Sequence, residues 1–358
     1  EFRLDFPALV HRYRGVERKG KPRTLRQRVL NDPDGAARMA RLSFGAANAA
    51  NRSRPLRVLM EKTVGIHRDK KLPDFAAKPF DRWAEQNGYV SPEPGGEVVL
   101  FQTCFVQHNE PEIGRDALFV LRRCGVDVRV VKGLLCCGMP AWEHGDLEAL
   151  RRQARHDLDL LMPHVDRGAK VLDVNPTCSM MMRREWPHLL DGADRARAET
   201  LASAVMDVSE YLWSIRNEER FSTAFKSAPP GGKVAYHAPC HLRAQAVGFK
   251  GRDLLRKIPG VTVAATVMEC CGHDGTFALT LEGFEPSQRV GRKAFDGMKA
   301  ADAGTWATDC PLAALQFEQH AGKKPLHPLS LLARAYREGG FGEGGEGGRL
   351  AGARGALN

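Results

Sequence analysis

Eight of the nine cysteines in this 358-residue chain fall into two sets with the same order. Cys104, Cys136, Cys137 and Cys178 form the first set, and Cys240, Cys270, Cys271 and Cys310 form the second. Corresponding members lie 136, 134 and 132 residues apart, and each adjacent pair is followed by a glycine, Gly138 or Gly272. A nearly constant offset at three landmarks marks an internal duplication. Four thiols converging on one point suit disulfides, a structural zinc ion or an iron-sulfur cluster. Disulfides belong to small secreted domains short of core, and this long chain shows no secretory pattern. Zinc takes four thiolates, usually from two C-x(2–4)-C knuckles, whereas two adjacent cysteines closing on one ion make a small strained ring. A cluster offers a separate iron to each thiolate, and soft thiolates select iron-sulfur or zinc. The residues therefore favour a cluster and leave zinc open. The glycine fits both, because it allows a tight turn and close backbone approach.

The elements that must position these thiols are β-branched runs ending just before them. Val98-Val99-Leu100-Phe101 runs into Cys104, Val126 to Val131 leads to Cys136, and Val171-Leu172-Asp173-Val174 leads to Cys178. In the second copy Val234-Ala235-Tyr236, Val261 to Val267 and Thr305-Trp306-Ala307-Thr308 play the same parts. Helix-period segments intervene at Ile113 to Arg123, Leu147 to Leu161 and Pro286 to Ala300. Strand and helix in alternation predict an α/β fold with a parallel sheet in each repeat. Ligands of such sheets gather beyond the carboxyl ends of the strands, which is where every cysteine of the two sets falls.

Ser91 to Gly96 and Ser227 to Gly232 read as linkers, which divides the chain into a lead segment 1–90, a first repeat 97–226 and a second repeat 233–337. Residues 338–358 are glycine-rich and read as a disordered tail. The chain carries 53 Lys and Arg against 43 Asp and Glu, and the whole excess lies in residues 1–90, with 20 basic against 10 acidic side chains. Turn and helix-start signals at Asp32-Pro33-Asp34-Gly35 and Pro55 predict helices over Ala36 to Ala47 and Leu56 to Ile66. Such a basic helical surface suits solvent, an anionic lipid surface or an acidic partner, and it lacks the aromatic interleaving of nucleic-acid readers. No apolar run approaches the ~18 residues of a membrane span. Neither G-x-G-x-x-G after a strand nor G-x-x-x-x-G-K-S/T occurs, so no flavin, nicotinamide or nucleotide site is signalled.

Around the second set crowd His237, His241, Glu269, His273, Asp274 and Asp309, which could tune a centre through hydrogen bonds or simply satisfy one another. Cys124 has no counterpart and reads as a small buried apolar residue. Met180, Met181 and Met182 read as helix packing.

The doubled order Cys, Cys-Cys-Gly, Cys resembles the cysteine-rich CCG domains of the B subunits of heterodisulfide reductases and of the iron-sulfur subunits of flavin-linked dehydrogenases, above all the C subunits of anaerobic glycerol-3-phosphate dehydrogenases. Supporting stretches are Gly65-Ile66-His67-Arg68 with Leu72-Pro73-Asp74-Phe75, Cys136-Cys137-Gly138-Met139-Pro140, Tyr236-His237-Ala238-Pro239-Cys240-His241, Gly275-Thr276-Phe277 and Thr308-Asp309-Cys310. The resemblance implies one 4Fe-4S cluster per repeat, held by the two sets of four cysteines, with zinc an alternative in one of them. Where the disulfide-reducing relatives have a fifth thiolate this chain has Met181 and Ala313, which argues against disulfide chemistry at either set. The ferredoxin module that usually precedes this region is not matched, and with Glu1 in first place the sequence reads as a fragment or as one whose module comes from another chain. The implied role is electron relay from a flavoprotein dehydrogenase, of glycerol-3-phosphate, glycolate or lactate type, towards a membrane quinone. The expected setting is cytoplasmic, peripheral on the inner face of the membrane, with residues 1–90 as the contact. Disulfide reduction at a cluster and a zinc-stabilised scaffold are the competing readings.

Overall fold

The computed structural model describes residues 6–342; the predicted tail lies largely outside the described residues. Two parallel sheets stand where the strands are predicted. The first contains β1 (Val98–Phe101), β2 (Val128–Val130), β3 (Lys170–Asp173) and β4 (Val205–Asp207) in the order β2-β1-β3-β4. The second contains β5 (Lys233–His237), β6 (Thr262–Val267) and β7 (Thr305–Thr308) in the order β6-β5-β7. The two copies share their topology: the first strand is central and the next two flank it. The added strand β4 extends the first sheet beyond the repeat. Nothing in the sequence signals it, because three residues following directly on the helix Gly192–Ala204 carry no strand periodicity.

β1 is buried on both faces along its length, as a parallel strand covered by helices on each side must be. It pairs in register with β2 (Val98 with Val128) and with β3 (Val98 with Lys170). A chain that leaves a central strand first to one side and then to the other opens a crevice at the carboxyl ends. β5 makes the same crevice between β6 and β7.

The covering helices include Pro111–Arg123, Leu147–Val165 and Phe284–Ala300, each close to its predicted span. The helix Pro111–Arg123 packs against Pro328–Ala335 of the second repeat. That contact puts Val98, Leu100 and Leu118 in one hydrophobic core with Val234, Tyr236, Leu254 and Leu332. At ~1.5–3 kcal/mol for each large apolar side chain fully buried, this shared core holds the two sheets as one body. Cys124 lies within it, fully buried.

The lead segment is helical, with Phe6–Arg18, Leu25–Leu30, Pro33–Leu42, Ala46–Arg52 and Arg54–Val64. Thr24 and Gln27 form a capping box at the second helix, and Asp32 accepts from Gly35 N–H at the third. The segment differs from a solvated basic surface in one respect: Asp34, Arg57, Glu61 and Lys70 are buried. Asp34 and Lys70 tie the segment to the rest of the molecule, while Arg57 and Glu61 brace the segment from within.

Candidate metal centres

Each cysteine of the first set follows the carboxyl end of a strand. Cys104 lies in the helix Thr103–His108 after β1, Cys136 and Cys137 in the loop after β2, and Cys178 in the helix Pro176–Met180 after β3. Thr103 has φ 55°. A left-handed β-branched residue is a strained one, and here it sets the turn into Cys104. The sulfurs form a hydrogen-bonded chain, Cys104 with Cys136, Cys136 with Cys137, and Cys137 with Cys178. Bonds from Cys104 and Cys137 hold Cys136 down to about 5, while its proximity pushes both of those neighbours up.

The walls of this set are apolar. Met139, Trp142, Met180, Met181, Met182 and Trp186 pack with Cys136, Cys137 and Cys178 in one buried cluster, and Trp186 Nε1–H donates to the Cys137 carbonyl (3.0 Å). The backbone from Met181 to Glu185 forms a π-helical turn, a widening found often at functional sites. Polar input comes from the lead segment. Cys136 N–H donates to Asp34 Oδ2 (2.8 Å), and Asp34 Oδ1 lies 2.8 Å from His108 Nε2. Arg41 Nη1 lies 3.0 Å from His108 Nδ1, so Nδ1 accepts and Nε2–H faces Asp34. The sequence shows Asp34 as part of a turn, and nothing in its spacing points to a cysteine 102 residues away.

The second set repeats the placement. Cys240 opens the helix Cys240–Ala244 after β5, Cys270 and Cys271 follow β6, and Cys310 caps the helix Pro311–Ala321 after β7. Its sulfurs are more loosely joined: Cys240 and Cys270 share a hydrogen bond that holds Cys240 down to about 6, with Arg243 Nη2 also 3.5 Å from its sulfur. Burial, then Cys310, push Cys271 up to about 12, and burial pushes Cys310 up to about 11 against backbone N–H donors at Ala313 and Leu312. Cys178 is close enough to act on Cys310, so the two sets face each other across the junction of the repeats.

The two Cys-Cys-Gly turns have a common construction. Gly138 and Gly272 are left-handed, at φ 88° and 77°. In both, the glycine's backbone N–H donates to the sulfur of the first cysteine of its pair, at 3.3 Å from Gly272 to Cys270. A Cβ on Gly272 would stand 1.9 Å from the Ser287 carbonyl oxygen. Glycine is required here by backbone conformation and by space.

The polar neighbours of the second set take distinct places. His237 is buried, with Nε2 donating to the Glu269 carbonyl (3.1 Å) and Nδ1 3.0 Å from Thr308 Oγ1; burial holds it down to about 4. The Glu269 carboxylate itself is exposed. His241 Nδ1 lies 2.8 Å from Thr177 Oγ1 of the first repeat. His273 is buried with Nδ1 unpartnered, and burial holds it down to about 3. Asp309 accepts from the Tyr236 hydroxyl and is pushed up to about 7 by burial. His241, His273 and Asp274 line a cavity of about 330 Å³ together with Cys240, Cys270, Cys271, Cys310 and Thr177. Met268, Phe277, Leu281 and Val290 are exposed on the same repeat, and Phe277 and Val290 line the cavity.

The donor sets fit a centre with several metal atoms. Each offers four sulfurs and backbone N–H donors to sulfur, surroundings that hold and tune a cluster. Among the described residues no group of three or more His, Cys, Asp or Glu side chains is already arranged to hold a metal ion. No helix among them is long and apolar enough to cross a membrane.

Comparison with known proteins agrees with this geometry. The cysteine-rich domain family CCG matches twice, at residues 98–183 and 234–318. Over 313 residues the chain is 28% identical to the C subunit of anaerobic glycerol-3-phosphate dehydrogenase from Escherichia coli K12, spanning 87% of this chain and 77% of that protein. It is 26% identical over 265 residues to the B subunit of fumarate reductase (CoM/CoB) from Methanothermobacter marburgensis, spanning 70% of this chain and 48% of that one. Lactate utilization protein A of Bacillus cytotoxicus is 25% identical over 220 residues, 60% of this chain and 87% of its own.

Proposed function

Starting from a chain that carries two cysteine-rich CCG domains, we propose that it is an electron-transfer subunit of an oxidoreductase, with an iron-sulfur centre at each set of four cysteines. The observation that carries this reading is the pairing of two four-sulfur sets that face each other, one enclosed and one opening on a cavity. A cluster at each set would supply one-electron storage. The protein's own residues supply the rest: an apolar wall that keeps water from the first set, and a cavity that gives an electron partner access to the second.

The relatives named as subunits of glycerol-3-phosphate dehydrogenase and of fumarate reductase support a partner subunit; we take it to be a flavoprotein dehydrogenase, with a quinone beyond. Peripheral contact with an anionic membrane fits the lead segment. On the helix Phe6–Arg18 the exposed Phe6, Leu9, Tyr13 and Val16 form an outward stripe, with Arg12 exposed beside it and Lys19 and Lys21 just beyond its end. An amphipathic helix of this kind lies in the interface of a bilayer.

Iron and zinc analysis of anaerobically purified protein, followed by low-temperature EPR after dithionite reduction, tests the reading. Iron with a reducible paramagnetic signal is expected, and a colourless protein holding zinc would overturn it. The cavity also gives room for a disulfide. Turnover of a disulfide by the reduced protein, abolished in Cys310→Ser, would assign the second set to that reaction instead.

A further inference from the structure

Lys70 is 2% exposed. Its loop is fixed on several sides: Arg57 donates to the carbonyls of His67, Arg68 and Lys70, His67 N–H donates to the Leu279 carbonyl, and Lys71 N–H donates to Gln319 Oε1. The side chain is carried to the second cysteine set, where Nζ donates to Gln316 Oε1. Gln316 is fully buried and is itself held by Ser287. The groups facing Lys70 are Gln316 and His320 from the helix Pro311–Ala321, and Cys271 and His273 from the loop after β6. None is a carboxylate. The neighbour that favours an ammonium there is the sulfur of Cys271, which carries charge only as a thiolate.

A buried ammonium with an amide oxygen and a thiol for company is costly unless something nearby carries negative charge. Four thiolates holding a cluster carry it. The first set has different surroundings: Cys136 N–H donates to the buried Asp34, which acts on both Cys104 and Cys136, and the buried Asp157 and Asp173 lie close enough to Cys136 and Cys178 to be raised in part by them.

We propose that Lys70 is the fixed counter-charge of the second cysteine set, stabilising its anionic, metal-loaded form and placing its reduction potential above that of the first set. The proposal rests on the iron-sulfur reading above and adds a direction to it. One electron from an external one-electron reductant makes a thiolate-held centre one unit more negative, and the nearby ammonium offsets that charge at the second set. Net charge and bonds to sulfur are among the determinants of cluster potential. Electrons entering at the first set then run downhill to the second, where the cavity gives an acceptor access.

EPR-monitored redox titration of the anaerobically loaded chain, with Cys136→Ser to assign the signals, tests this. Wild type is expected to show the second centre at the higher midpoint. Lys70→Met should lower that midpoint and leave the first in place, and Lys70→Arg should retain it. Metal-free Lys70→Met should melt at or above the metal-free wild type, since it removes an uncompensated charge. Loss of the second centre from a Lys70→Met protein that melts normally when metal-free supports the proposal as well. Two loaded centres whose midpoints ignore Lys70→Met overturn it, as does a metal-free variant that melts lower. A wild-type chain that takes up no iron overturns the iron-sulfur reading, and the lysine proposal with it.

Discussion

The two cysteine sets share their topology and their Cys-Cys-Gly turn, yet they differ in what surrounds them. The first is enclosed by methionine and tryptophan and linked to the lead segment through Asp34 and His108. The second opens on a cavity of about 330 Å³ lined by histidine, and a buried lysine stands beside it. Duplication fixed the positions of the thiols, and divergence acted on their walls. The same ligand set in a dry apolar wall and at a cavity mouth differs in solvent access and in charge, the two quantities that tune a cluster.

The strongest break in the comparison is removal of one thiolate from each set. Cys136→Ser should cost the metal of the first set and Cys271→Ser that of the second, each sparing the other, as metal analysis will show. Loss of both centres from either variant would mean that the sets assemble as a unit. Accessibility comes next. In the metal-free protein at neutral pH, Cys240 combines partial exposure with a value held down to about 6, so it should be the first cysteine alkylated. Cys136, although lower at about 5, is buried and should be protected until the first repeat opens. Peptide mass spectrometry over a time course reads the order.

A smaller effect is expected at Asp34. Replacing it with Ala leaves the buried Cys136 N–H and His108 without their acceptor and should destabilise the protein by about 2 kcal/mol, measured by urea unfolding. Asn should cost less, because its amide oxygen still accepts.

A pH-dependent effect concerns the seam between the repeats. Glu143 of the first repeat is buried and accepts from the backbone N–H and hydroxyl of Thr276 in the second. Burial pushes it up to about 8 from 4.5. Between those values the unfolded chain has released a proton that the folded protein still holds, so stability falls as pH rises through the window. Glu143→Gln should therefore gain stability relative to wild type from about pH 4.5 to 8. A constant difference across that range would show that Glu143 is ionised in the fold.

Much of this was legible in the sequence for a simple reason. Strands such as Val98–Phe101 are continuous apolar runs, and the cysteines punctuate them at fixed offsets, so type and spacing carried both the α/β fold and the two sets of thiols. What escaped depends on contacts remote in sequence. Asp34 reads as a turn residue and Lys70 as one more charge in a basic segment, and their burial is decided by elements 102 and more residues away. The π-helical turn at Met181 to Glu185 is equally silent, because its sequence is an ordinary helical one. Glu269 attracts notice by its place beside Cys270, but it contributes its carbonyl to His237 and leaves its carboxylate exposed.

The central claim is that each set of four sulfurs holds one multi-iron centre. Iron and acid-labile sulfide counted on the anaerobically purified chain test it most directly. Two 4Fe-4S centres require about eight of each per chain. Two zinc ions with neither iron nor sulfide would contradict it.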